Sequence, residues 1–214
     1  MKEFLNTIRK PISSPVSKRI LYSALVLIVG IALGIIAKIL DETPSNSFPP
    51  FIEILDLRNF FSRIGFWLFS GICISIYSKT PLRAAINILL FFAGMVSSYY
   101  IYTVKVAGFF PKSYMMIWIA ITILSPFIGA VCWYAKGIHP VSLCISVMIL
   151  MIMTRQAFVF GFWYFDVCYA LELLLWVLTL AVLYKKPKQI MVVSGVGILL
   201  FFITSPLNLF WGIL

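Results

Sequence analysis

Charge is what this sequence has least of. Only 11% of its 214 residues are Asp, Glu, Lys or Arg, seven acidic against seventeen basic, where soluble domains carry about 25%. So few charges cannot cover a globule of this size in water, which excludes a soluble enzyme and a solvated disordered chain. One histidine is present, with no HExxH and no GxSxG pattern, which removes the common metalloprotease and serine-hydrolase chemistries. The four cysteines, Cys73, Cys132, Cys144 and Cys168, have no CxxC or CxxH spacing. They read as small apolar residues within helices, without a disulfide or a metal. No cofactor and no enzymatic activity are expected.

What fills the chain instead is apolar: 62% hydrophobic and 16% aromatic. A helix needs about 20 apolar residues to cross roughly 30 Å of hydrocarbon, and the uncharged runs supply that length. They predict spans over approximately 20–40, 62–78, 82–104, 113–135, 140–160, 166–184 and 189–207. The second is the weakest, because Arg63 and Lys79 close on it from both sides. The runs do not alternate with the period of a β-barrel strand. The fold class is therefore all-α: a polytopic helical bundle of about seven transmembrane helices. Thr80-Pro81, Pro111-Lys112-Ser113 and His139-Pro140 place a cap and a first-turn proline at three of the helix starts. Residues 1–19 read as a basic cytoplasmic tail and 20–214 as a single transmembrane domain. Residues 41–61 form an extracytoplasmic loop. Within it, Phe51, Ile54, Leu57, Phe61 and Ile64 recur at three- and four-residue steps, which predicts a short amphipathic helix in the interface.

Orientation follows from the cations. With seven crossings and a cytoplasmic N-terminus, eleven of the seventeen (Lys2, Arg9, Lys10, Lys18, Arg19, Lys79, Arg83, Lys136, Lys185, Lys186 and Lys188) fall inside. Lys38, Arg58, Arg63, Lys105, Lys112 and Arg155 fall outside. If the second run does not cross, the asymmetry inverts; the N-in, C-out arrangement keeps the excess on the inner side. The net charge of +10 is then accounted for by an anionic inner leaflet, with no nucleic-acid partner. The cell (plasma) membrane is the expected location.

Polar residues at bilayer depth are the candidate functional groups, because a charge there is costly unless paired or wet. Arg155 and Glu172 lie about equally far below the outer ends of adjacent spans, which predicts an ion pair, with Asp166 and Gln156 beside it. Tyr99, Tyr102, Trp118 and Trp163 fall at similar outer depths and complete a polar and aromatic outward-facing pocket. Ser125-Pro126 predicts a kink in the fourth span; Ser205-Pro206 sits near the end of the last. Gly30 and Gly34, and Gly71 and Ser75, form small-residue faces that permit close helix approach, within the chain or to other membrane subunits. A small-solute binding or transport-type membrane subunit is the reading these features favour. An accessory or regulatory subunit with no ligand of its own is the alternative.

Overall fold

The computed structural model describes residues 2–44, 47–108, 112–161 and 163–205. Pro111, Phe162, Pro206, Leu207 (with it the end of the last expected span) and Leu214 lie outside them. Ten α-helices are present among the described residues: α1 Lys2–Ile8, α2 Val16–Glu42, α3 Pro50–Ile54, α4 Leu57–Ser62, α5 Ile64–Tyr77, α6 Pro81–Tyr102, α7 Lys112–Trp133, α8 Pro140–Ala157, α9 Ala170–Leu183 and α10 Pro187–Thr204. Two short strands, β1 Phe158–Gly161 and β2 Tyr164–Val167, form an antiparallel hairpin between α8 and α9. α2, α6, α7, α8 and α10 are long and apolar enough to cross a membrane, while α5 and α9 are shorter apolar helices.

The helix starts follow local chemistry. Thr80 caps α6 by accepting the Arg83 N–H at 3.1 Å, and Pro81 follows in the first turn. His139 does the same for α8, its Nδ1 accepting the Val141 N–H at 3.2 Å ahead of Pro140. Three departures from the sequence reading have physical causes. The fifth span stops at Ala157, because Phe158–Gly161 pairs with Tyr164–Val167 in the register Phe158↔Val167 to Gly161↔Tyr164; β-branched and aromatic residues favour that extended form. The single amphipathic helix is instead two, α3 and α4, broken at Asp56, whose φ of 50° lies in the left-handed region. The Asn59 amide donates to Asp56 Oδ1 at 2.6 Å and helps hold that conformation. Lastly, the basic tail contains α1. Ile8 is 3% exposed and its carbonyl accepts the Ile138 N–H at 3.1 Å, while Phe4 meets the His139 ring edge-on.

The chain divides into two compact units. The first comprises Met1–Lys10, Arg63–Ser70 and Tyr134–Leu214; the second Pro11–Ser62 and Gly71–Trp133. In the first, α8 packs against α9 and α10 through Val147, Leu150, Met151 and Met153. Thr154 Oγ1 accepts the Trp176 indole N–H at 2.9 Å. In the second, α6 lies against α2 and α7 and buries Ile88, Phe91, Phe92 and Met95.

For helices apolar enough to cross a membrane, small residues and hydrogen bonds are the means of close contact. The α2–α6 interface uses both. A Cβ on Gly30 would strike the Phe91 carbonyl and one on Gly34 the Met95 carbonyl, so glycine is what lets the two backbones meet. Ser98 Oγ donates to the Ile31 carbonyl at 3.0 Å, and Ser23 Oγ donates to Asn87 Oδ1 at 2.6 Å. Gly71 likewise faces Ile88, and Ser75 Oγ lies beside Gly129.

In α7, Pro126 has no N–H for the Thr122 carbonyl, and the hydroxyl of Ser125 donates to that carbonyl at 2.8 Å. The outer faces of α7 are apolar, with Ile123, Leu124, Phe127, Ile128 and Val131 all more than half exposed.

Candidate functional site: a buried carboxylate and its guanidinium

Glu172 occupies the first turn of α9, where the positive end of the helix dipole favours a carboxylate. It is 2% exposed. The guanidinium that reaches it belongs to Arg63, which sits in the break between α4 and α5 and donates through Nε to Glu172 Oε1. Tyr169, the residue before α9, lays its ring 3.7 Å from the Arg63 guanidinium carbon, a stacked cation–π contact. Glu172 Oε2 is buried with no hydrogen-bond partner among the described residues. One oxygen of the carboxylate is thus neutralised and the other keeps its accepting capacity in a water-poor place.

The pair predicted between Arg155 and Glu172 is therefore made by Arg63 and Glu172. Arg155, in the last turn of α8, donates through Nη1 to the Thr204 carbonyl at 3.2 Å. Gln156 packs its side chain against Gly65 at the start of α5, close in sequence to Arg63. Asp166 is exposed in β2, its Oδ1 accepting the Val167 N–H at 2.7 Å. Trp163 stands 97% exposed at the hairpin turn.

The remaining predicted residues, Tyr99, Tyr102 and Trp118, belong to the second unit. Tyr99 joins a separate cluster there. Lys38, 2% exposed, bridges Asp41 at 3.1 Å and Glu42 at 2.5 Å, one helical turn on. The Tyr99 hydroxyl donates to Asp41 Oδ2 at 3.0 Å, and its ring lies under the Lys38 ammonium at 5.1 Å. Both acids follow Lys38 on α2 and hold its ammonium against the helix. Trp118 is buried and meets Tyr114 edge-on. Tyr102 ends α6, half-buried.

Arg63, Tyr169 and the Lys38 cluster are the groups the sequence reading missed. The i, i+3 and i, i+4 spacing of Lys38 with Asp41 and Glu42 was a readable signal. For Arg63 the signal was its place at the head of an unusually short apolar run.

In class, the chain is an all-α protein with five helices long and apolar enough to cross a membrane, and with Lys38 and Glu172 buried in its apolar helices. Comparison with protein-family models, curated proteins and solved structures finds no match to it.

Proposed function

We propose that the chain is a seven-crossing protein of the cell membrane, N-terminus in the cytoplasm and C-terminus outside, that binds or carries a small solute through Glu172. The observation that carries the reading is the open oxygen. A carboxylate kept only to lock two helices would use both of its oxygens, since an unsatisfied buried acceptor costs about 1–3 kcal/mol. Glu172 uses one. The solute class that suits it bears an ammonium, amide or hydroxyl donor, with Arg63 as the fixed counter-charge and Tyr169 as the apolar wall.

Seven crossings require α5 and α9 to span. Each has 14 residues, about 21 Å of the roughly 30 Å needed. Strand β2 precedes α9 with its backbone paired to β1, so its amides and carbonyls are met within the chain. The excess of cations on one side of this arrangement supports the orientation.

The test is thermal unfolding of the detergent-purified protein across a panel of amines, amino acids and polyols. A true ligand raises the melting temperature of the wild type and leaves that of Glu172→Gln unchanged. A second reading, an accessory subunit in a membrane complex, is favoured by α10, of whose apolar stretch the chain itself buries only 17%. A panel with no stabilising member, together with co-purification of a stoichiometric partner lost on α10 surface substitution, selects that reading.

A further inference from the structure

A cleft of about 230 Å³ opens in the second unit where the start of α2 faces the turn between α5 and α6. Among the described residues, four of its lining side chains are cations (Lys18, Arg19, Lys79 and Arg83) and none is acidic. Its floor is polar and buried: Asn87 is 1% exposed and donates through Nδ2 to Ser78 Oγ at 3.1 Å. The strap ahead of α2 closes one side, held by Ile12 N–H on the Lys79 carbonyl at 2.9 Å and by Arg19 Nε on Ser14 Oγ at 3.2 Å.

Arg83 is fixed in place, because its Nη2 donates to the Arg19 carbonyl and to Ser23 Oγ, which in turn donates to Asn87. A guanidinium has five N–H donors; the others on Arg83 have no partner among the described residues. Lys18 and Lys79 are exposed and make no side-chain bond there either. The α6 N-terminus adds its positive dipole end on the same side. Four like charges around one cavity repel one another unless an anion sits among them, and the tethered guanidinium offers the planar donor set that fits phosphate oxygens.

We propose that this cleft binds a phosphate-bearing anion, either the headgroup of an anionic phospholipid or a soluble phosphate compound, with Lys18, Lys79 and Arg83 as its ligands and Tyr22 and Tyr77 as its walls.

The full-length protein in neutral maltoside detergent tests this in two arms. One titrates inorganic phosphate against chloride at equal ionic strength; the other adds phosphatidylglycerol against phosphatidylcholine. A melting temperature raised by phosphatidylglycerol but not phosphate assigns the lipid, and one raised by phosphate alone assigns the soluble anion; both support the site. Lys18→Gln/Lys79→Gln should weaken the effective ligand about 30-fold, the loss expected of two cations near an anionic surface. Its unliganded melting temperature should stay at the wild-type value, since neither side chain holds the fold. Lys105→Gln/Lys112→Gln, which removes the same charge elsewhere, should leave binding unchanged. If the double variant fails to fold, Lys18→Gln alone carries the comparison. No stabilisation in either arm overturns the proposal, as does an equal loss in both double variants.

Discussion

Glu172 and Arg63 join opposite charges at the start of an apolar helix. With Glu172 2% exposed, substitution by Lys leaves two cations facing each other in low dielectric, a loss of about 3–5 kcal/mol. Glu172→Lys should therefore cut the yield of folded protein sharply, and Arg63→Glu in the same chain should restore it. Arg155→Glu should not restore it, because Arg155 spends Nη1 on the Thr204 carbonyl. Size-exclusion profiles of the three variants decide between the two arginines.

A second residue-scale outcome concerns Lys185, in the turn between α9 and α10. Burial, then the neighbouring charges of Lys136 and Arg9, push its ammonium down to about 8. In the unfolded chain it titrates near 10.4, so between those values the unfolded state holds more protons and stability rises with pH. Thermal unfolding of the wild type should gain stability as pH climbs from about 8 toward 10, and Lys185→Gln should flatten that rise.

Single helices obey the same accounting. α7 keeps a proline in mid-span because Ser125 fills the vacancy at the Thr122 carbonyl. Ser125→Ala should destabilise by about 1–2 kcal/mol, the cost of a buried acceptor left alone. In a Pro126→Ala background the restored N–H takes over, and the cost should shrink toward zero. Chemical denaturation of the four chains gives the cycle.

At this scale the sequence was most readable. Thr80-Pro81 and His139-Pro140 marked the starts of α6 and α8 because capping is a contact between near neighbours. The end of α8 was not readable: Phe158 and Val159 are as apolar as the helix before them, and only their pairing with Val167 and Asp166 makes them a strand. The partner of Glu172 was hidden for the same reason, since Arg63 reaches it across a long stretch of chain that no periodicity relates.

For the whole molecule, the proposed sidedness rests on whether α5 crosses. In a cysteine-free background, Glu53→Cys and Lys79→Cys flank that helix, and Ile138→Cys and Trp163→Cys flank α8. An impermeant maleimide should reach Glu53→Cys and Trp163→Cys from outside the cell, and Lys79→Cys and Ile138→Cys only after the membrane is opened. Labelling of Glu53→Cys and Lys79→Cys from one side would overturn the proposed second crossing and the proposed side of every later segment. The membrane character itself was legible from composition. The division into two units was not, because a boundary such as that between Trp133 and Tyr134 falls at the end of α7 with no change in composition to announce it.

The docking of α1 has a consequence for biogenesis. The Ile8 carbonyl finds its donor on Ile138, a residue the ribosome adds on the order of ten seconds later at ordinary elongation rates. Until then the nascent arm lacks the backbone donor that seats it. Its docking onto the turn before α8 therefore comes late in assembly, after α2, α5, α6 and α7 have all been synthesised.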